Sequence, residues 1–173
     1  MSFEIYKNIL TKEMCQELID MVPTLSDNFI TFTGVEVSRI IEPANRSPTA
    51  FYLHQLSEQE SQKFCDVIYA RIPNVKATAV RIIQYPAGSC ILDHLDSWRE
   101  IDGESNSGLI IQLNDPRSYR GGYLNIEREF IELDVGDGVY YGYEHVHGVS
   151  TVKDSERWVL NVRLYEEKSD ARI

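Results

Sequence analysis

A histidine and an aspartate stand two residues apart at His94 and Asp96, within the stretch ILDHLDSWRE. In a β-strand, residues at this spacing point to the same face, so the two side chains would lie next to each other. They form either an ordinary surface ion pair or part of a metal site. A single His-x-Asp pair is a weak motif, so the rest of the chain has to distinguish these readings.

A third residue with metal-binding chemistry is His147, near the start of a later β-rich segment. Two imidazoles and one carboxylate leave three positions of an octahedron open, an arrangement that suits Fe(II). Zinc accepts the same ligand types, so the ligands alone do not exclude a hydrolase. His145 would share the face of His147 and is an alternative ligand, and a histidine in a strand is more often structural than metal-bound.

Composition bounds the class of protein. The chain has 173 residues, which suits one domain spanning 1–173, and a net charge of −10. This charge disfavours nucleic acid and anionic membranes as main partners. The sequence contains no apolar run of membrane-spanning length and no signal-peptide pattern at its start, so a cytoplasmic protein is expected. Its three cysteines are widely spaced, and we expect them to be reduced.

Two helices are predicted before a long β-rich region. Thr11 can cap a helix that runs to about Val22, and Ser57 with Glu60 forms a capping box for a second helix that stops near Pro73. About eight strand-like runs follow, separated by turn signals. They are TAVRIIQY, SCILDHLD, GLIIQLN, GGYLNIE, EFIELD, GVYYGY, HGVSTV and RWVLNVRLY. The order predicts an α+β, mainly β fold, with the helices packed on one face of a sheet.

The last of these strands alternates between an apolar and a polar face. Trp158 begins the apolar series, whereas Arg157, Asn161 and Arg163 lie on the opposite face. That polar face could meet solvent or the interior of an open barrel. Gln112 lies in another apolar strand, and a buried amide without a partner costs on the order of 1–3 kcal/mol. Either a polar ligand inside the barrel or a group on a neighbouring strand could satisfy it.

The segment HGVSTVKDSERWVLNVRL, taken together with HLD, resembles the Fe(II)/2-oxoglutarate-dependent dioxygenases, specifically the prolyl-4-hydroxylase-like branch. The family pattern is His-x-Asp, a distal His, and an Arg or Lys about ten residues later, which here is Arg157. The segments VRIIQYPAGSCILDHLD, GLIIQLNDPRSYRGGYLNI and EFIELDVGDGVYY are also similar to family segments. FEIYKNILTKEMCQELI is similar to the usual N-terminal strand and helix, so the resemblance covers nearly the whole chain.

The resemblance implies a double-stranded β-helix, which is a jelly-roll or cupin-like fold, with the N-terminal helices packed on one sheet. It assigns the iron to His94, Asp96 and His147, and 2-oxoglutarate to Arg157, Tyr85 and Gln112, with no further catalytic residue. The implied cofactors are Fe(II), 2-oxoglutarate as cosubstrate and O₂, with ascorbate as a candidate reductant. The implied reaction hydroxylates an unactivated C–H bond of a peptidyl or free amino acid, with proline favoured, and converts 2-oxoglutarate to succinate and CO₂. The carboxylate of Asp96 favours hydroxylation over halogenation, since halogenase relatives lack it.

Four residues are candidate substrate contacts: Trp98, Arg99, Asn161 and Arg163. The first two lie in the polar segment 97–108, which is either a rim over the site or a plain hairpin loop. Arg163 stands where many relatives carry an aromatic residue. We hypothesise that it binds a polar or acidic part of the substrate; the alternative is a pair with a surface acid at the strand end.

Two other functions compete with this interpretation. A non-catalytic β-barrel that binds or senses a ligand is one, although the intact ligand set together with Arg157 argues against a decayed site. A nucleic-acid demethylase of the same superfamily is the other, and the acidic charge and the lack of a basic stripe disfavour it.

Overall fold

A computed structural model describes residues 3–25, 29–32, 51–96, 99–100 and 103–166 of the chain. Within these residues, 29–32, 99–100 and 103–104 are considered by backbone alone. None of the described helices has the length and apolarity needed to cross a membrane.

The two predicted helices are confirmed with their caps. Helix α1 spans Lys12–Met21, and the hydroxyl of Thr11 accepts a hydrogen bond from the Met14 N–H. Helix α2 spans Glu58–Arg71, and Ser57 and Glu60 form the reciprocal capping box. These caps satisfy backbone N–H groups that the first turn of a helix leaves unpaired, which explains why the helices begin at these residues.

Fifteen strands make up about half of the described residues. They are β1 (Glu4–Tyr6), β2 (Phe29–Phe32), β3 (Phe51–Gln55), β4 (Val75–Pro86), β5 (Ile91–His94), β6 (Arg99–Glu100), β7 (Gly103–Glu104), β8 (Ser107–Gln112), β9 (Arg120–Gly121), β10 (Leu124–Ile126), β11 (Glu129–Ile131), β12 (Gly138–Gly142), β13 (His147–Val149), β14 (Val152–Asp154) and β15 (Glu156–Glu166). β1 agrees with the N-terminal strand that the resemblance implies, but β2 and β3 also precede α2, so the expected order of helices first and strands second is wrong. The partners of β1 and β2 explain the difference, because β1 pairs with the distant β12 and β2 extends the sheet beyond β3.

Two antiparallel sheets face each other. The larger has the strand order β1-β12-β8-β15-β4-β3-β2, and the smaller has the order β11-β10-β13-β5. One apolar cluster joins residues of both sheets, such as Ile83 and Val159 of the larger and Leu124 and Ile126 of the smaller. This two-sheet architecture is the expected double-stranded β-helix.

A second apolar cluster packs the helices on the outer face of the larger sheet. It joins Leu18 of α1 and Phe64 of α2 to Leu160 and Val162 of β15. The alternation of β15 predicted that its apolar face meets either the helices or the other sheet, and this face meets the helices. Its polar face is enclosed between the two sheets rather than solvated, since Arg157 is only 2% exposed.

Asp137 ties the N-terminal strand to the start of β12. Its carboxylate accepts hydrogen bonds from Lys7 Nζ at 2.6 Å and from the backbone N–H groups of Asn8 at 2.9 Å and Asp134 at 3.1 Å. Burial alone would raise the pKa of this carboxyl, but these donors outweigh it and lower the pKa below its usual value.

Replacing Asp137 with asparagine is expected to lower the free energy of unfolding by about 1.5–3 kcal/mol, the range for hydrogen bonds to a charged group. Because the pKa is depressed in the folded state, this contribution is complete above the unfolded pKa of about 4 and is lost as the pH falls below it. Urea unfolding of both proteins at neutral and acidic pH measures the difference. Asp154→Asn, at an exposed pair with Arg120, is the control and should change little. Equal stability of the Asp137 variant and wild type at neutral pH would contradict this role.

Candidate metal and cosubstrate site

Two neighbouring strands of the smaller sheet bring the two predicted histidine ligands together. His94 is the last residue of β5 and pairs with His147, the first residue of β13. Because residues paired across antiparallel strands point to the same face, the two rings lie next to each other, with 4.3 Å between their centroids. His145, the alternative ligand, lies in the turn before β13, where its Nδ1 is 3.5 Å from Glu127.

Asp96 completes a buried cluster with these histidines. Its Oδ1 is 3.4 Å from His94 Nε2, and its Oδ2 is 3.5 Å from His147 Nε2. One ligand atom from each of the three residues lies within 4.8 Å of the others. A divalent ion binds such donors at about 2.0–2.2 Å, so the cluster fits one metal after a small closure. Among the described residues, this is the one group of three or more potential ligands of this kind.

Backbone carbonyls fix which nitrogen each imidazole presents. His94 Nδ1 lies 2.8 Å from the carbonyl oxygen of Leu92, and His147 Nδ1 lies 3.1 Å from that of His145. A nitrogen next to a carbonyl must carry the proton, because a carbonyl only accepts hydrogen bonds. In each ring Nε2 is therefore the nitrogen left to bind a metal, and it faces Asp96, which is the arrangement found around metal-binding histidines.

The electrostatics favour the protonation states that a metal requires. Burial lowers the pKa of His147 to about 4, although Asp96 acts in the opposite direction. For Asp96, burial would raise the pKa, but the neighbouring His147, His94 and Arg163 outweigh it and hold the pKa well below its usual range. At neutral pH the cluster thus contains a neutral His147 and an ionised carboxylate, as metal binding needs.

Arg163 and Tyr141 contact the same carboxylate. Arg163 Nη1 is 3.2 Å from Asp96 Oδ2, and the Tyr141 hydroxyl donates to this oxygen at 3.0 Å. Among the described residues, the acid that pairs with Arg163 is therefore the buried Asp96 of the site and not a surface acid at the strand end, and this arginine is 6% exposed. The sequence analysis did not identify Tyr141 as a site residue. The signal that could have found it is the alternation in GVYYG, which places Tyr141 on the same face of the strand as the apolar Val139.

Arg157 lies beside a cavity of about 370 Å³ that Gln112 and Leu124 also line. Its register partner on β4 is Tyr85, whose ring centroid is 5.2 Å from the guanidinium carbon. Burial raises the pKa of Tyr85 to about 12, against the opposing effect of Arg157. Arg157 Nη1 is buried and has no hydrogen-bond partner among the described residues, so a donor is available for a ligand carboxylate.

Gln112 borders the same cavity but is satisfied within the protein. Its Nε2 donates to the carbonyl oxygen of Asn114 at 2.8 Å and lies 3.0 Å from the Tyr119 hydroxyl. The partners come from the segment that follows β8, so the buried amide does not by itself require a ligand. Its contact with 2-oxoglutarate stays a prediction that rests on its position at the cavity.

The candidate substrate residues are only partly described. Trp98 lies outside the described residues, and Arg99 is described by its backbone, which pairs with Glu104 in the β6–β7 hairpin. Asn161 is 9% exposed and lies between Arg157 and Arg163 on the inner face of β15.

Comparison with known proteins gives matches in sequence and in structure, although no family model matches. A PKHD-type hydroxylase of Prochlorococcus marinus (strain NATL2A) is 34% identical over 84 residues, which are 46% of this chain and 38% of that protein. Its counterpart in strain NATL1A is 33% identical over the same length. The chain thus spans about two fifths of the length of the curated relatives it matches.

Solved structures match over almost the whole chain. The viral collagen prolyl hydroxylase of Paramecium bursaria Chlorella virus-1 has a TM-score of 0.68 at 15% identity, covering 95% of this chain and 96% of that one. A Trichoplax adhaerens prolyl hydroxylase in complex with a hypoxia inducible factor peptide has a TM-score of 0.66 at 17% identity, covering 95% and 83%. The epimerase SnoN from nogalamycin biosynthesis has a TM-score of 0.65 at 10% identity, covering 95% and 78%. The expected fold is confirmed, and so is the resemblance to prolyl-hydroxylase-like proteins that the sequence showed. Because the structural neighbours include both prolyl hydroxylases and an epimerase, this fold is compatible with more than one reaction.

Proposed function

We propose that this protein is an Fe(II)- and 2-oxoglutarate-dependent dioxygenase that hydroxylates an unactivated C–H bond of a peptidyl or free amino acid. The observation that carries the proposal is the buried cluster of His94, Asp96 and His147, in which two imidazole nitrogens face one carboxylate. Three protein ligands on one side leave positions open for a chelating cosubstrate and O₂, which distinguishes such a centre from a closed structural site.

The three ligands have separate tasks. When bound, Fe(II) supplies the activation of O₂ that couples decarboxylation of 2-oxoglutarate, to succinate and CO₂, to oxidation of the substrate. The carbonyl groups of Leu92 and His145 hold the Nδ1 protons of His94 and His147, so Nε2 is the nitrogen that each ring would offer to the metal. Asp96 contributes the negative charge that partly neutralises the divalent ion. Enclosure between the sheets keeps bulk water from these groups, which strengthens their electrostatic interactions.

Arg157 is assigned to the distal carboxylate of 2-oxoglutarate. Leu124, at the cavity, stands two residues before Ile126, which pairs with His147. The cavity beside Arg157 therefore borders the strand that pairs with His147, which supports a short dicarboxylate bound by the metal at one end and by the arginine at the other. Tyr85 flanks the guanidinium and Gln112 borders the cavity, so both contact the cosubstrate in this arrangement.

An amino-acid substrate is favoured by the named relatives, which include hydroxylases by sequence and prolyl hydroxylases by fold. Proline, in a peptide or free, is therefore the first substrate to test. The net charge of −10 weighs against a nucleic-acid substrate.

Substrate-dependent turnover tests the proposal. Fe(II)-loaded protein is incubated with 2-oxoglutarate, O₂ and either free L-proline, prolyl peptides or other amino acids, and succinate and oxygenated product are measured by mass spectrometry. We expect succinate formation in wild type, increased by the correct substrate, and none in Asp96→Ala. The proposal is wrong if the folded, Fe(II)-loaded wild-type protein turns over no 2-oxoglutarate under any of these conditions. The function would then be that of a non-catalytic protein that binds or senses a ligand.

A further inference from the structure

Three residues from adjacent strands form one row across the larger sheet, here named the Tyr141 row. Gly108 of β8 pairs with Tyr141 of β12 on one side and with Arg163 of β15 on the other. Paired residues point to the same face of a sheet, so all three face the smaller sheet that carries the histidines. Arg163 is followed in the row by Ala79 of β4, so small residues flank the arginine on both sides.

The glycine in this row provides space rather than backbone freedom. A Cβ atom on Gly108 would lie 2.7 Å from both Cζ and the hydroxyl oxygen of Tyr141, which is closer than real Cβ contacts. Its φ angle lies outside the positive range, so an alanine there would meet no backbone strain. The absence of a side chain at position 108 therefore lets the tyrosine ring lie against the sheet and direct its hydroxyl to Asp96.

The two oxygens of Asp96 have different surroundings. Oδ2 lies 3.0 Å from the Tyr141 hydroxyl and 3.2 Å from Arg163 Nη1, whereas Oδ1 faces His94 Nε2 at 3.4 Å. The Tyr141 hydroxyl also lies 3.4 Å from His147 Nε2, so it sits at the edge of the cluster. Oδ2 also lies 3.5 Å from His147 Nε2, so each carboxylate oxygen faces one histidine, and Tyr141 and Arg163 hold the carboxylate between the two rings.

A chain of hydrogen bonds fixes the arginine in turn. The Tyr143 hydroxyl accepts from Arg163 Nη1 at 2.9 Å and lies 2.7 Å from the Ser105 hydroxyl. All these groups are buried, so each bond operates in a low-dielectric environment where geometry is tightly held. The guanidinium is therefore held against Asp96 from the side of the sheet.

We propose that Tyr141 and Arg163 are positioning residues that engage Oδ2 of Asp96 and so hold this carboxylate in the orientation in which it binds the metal, with Gly108 providing the space for Tyr141. The inference rests on the proposed function, because it assigns a role to residues around the same metal. It predicts that the tyrosine hydroxyl, which touches no substrate in this scheme, sets the metal affinity.

Metal affinity of two variants tests the inference without any measurement of turnover. Tyr141→Phe removes only the hydroxyl, and Gly108→Ala displaces the ring that carries it. The matched control is Tyr140→Phe, since Tyr140 lies on the same strand but donates to Glu166 at 2.9 Å on the other face. Mn(II) affinity is measured by electron paramagnetic resonance of the free ion, and folding is checked by urea unfolding.

We expect Mn(II) affinity to fall by roughly 10–100-fold in Tyr141→Phe and in Gly108→Ala, the range for losing a group that orients a metal ligand. Tyr140→Phe should bind Mn(II) like wild type. The double variant should lose no more affinity than the weaker-binding single variant, because both changes remove the same interaction. Wild-type affinity in folded Tyr141→Phe overturns the inference while leaving the proposed function standing. Failure of wild type itself to bind Mn(II) or Fe(II) overturns both.

Discussion

Replacing His147 with alanine is expected to abolish the visible charge-transfer band that anaerobic Fe(II) and 2-oxoglutarate give with the wild-type protein. The band requires both groups on one metal, and the variant lacks one of the three protein ligands that the cluster offers. Loss of a group that only orients a ligand costs about 10–100-fold in metal affinity, so loss of a ligand itself should cost at least about 100-fold. Titration of Fe(II) under nitrogen, followed by absorbance, measures the change.

His145→Ala is the matched control for this experiment. This histidine is two residues away, but its ring lies between Glu127 and Glu144 and outside the cluster. The hydrogen bond from His145 to His147 Nδ1 comes from the backbone carbonyl, which the substitution keeps, so the variant should keep the band. Loss of the band in His145→Ala but not in His147→Ala would move the third ligand to the turn and contradict the assignment. Absence of the band in folded wild type would contradict the dioxygenase itself.

Replacing Arg157 with alanine should raise the 2-oxoglutarate concentration needed for half-saturation, with little effect on Fe(II) binding alone. Removing one partner of a buried charge pair costs about 2–5 kcal/mol, which corresponds to a rise of at least roughly 30-fold. The physical reason is that Nη1 is buried and otherwise unpartnered among the described residues, so the ligand carboxylate loses its main donor. The charge-transfer band, titrated with 2-oxoglutarate at saturating Fe(II), gives the value.

Two further variants separate charge from geometry at this position. Arg157→Lys keeps the cation but loses the forked pair of donors, so it should fall between wild type and alanine. Arg120→Ala removes an arginine on the surface, whose partner is Asp154, and should leave the titration unchanged. If Arg157→Ala bound 2-oxoglutarate as tightly as wild type, the cavity beside this residue would not be the cosubstrate pocket.

Local signals determined much of the fold in advance. The helix starts at Thr11 and Ser57 follow from side chains that cap the nearest backbone N–H groups, an interaction within one turn. The alternation of β15 separated its apolar face from its polar face, because successive residues of a strand point to opposite sides, and the structure shows that the apolar face packs on the helices. The spacing of His94, Asp96, His147 and Arg157 marked the candidate site through its resemblance to a known pattern.

Local signals did not reveal the strands β1, β2 and β3, and the resemblance implied only the first of them. β1 and β12 are neighbours in the larger sheet although most of the chain lies between them. A strand of three residues has too few side chains for a periodic pattern, so its conformation depends on the partner. β2 and β3 are also short, with four and five residues, and β3 owes its place in the sheet to its pairing with β4.

In the site, the sequence by itself determined which residues could bind a metal and a carboxylate, and the tertiary structure decided which of them meet. Alternation alone left His145 and His147 equivalent; the pairing of β13 with β5 placed His147 against His94. The Tyr141 row likewise depends on the register of three strands, since no local rule relates residues 108, 141 and 163. Caps and alternation act between near neighbours in the chain, whereas a buried site forms from residues that only the pairing of strands and the facing of sheets bring together.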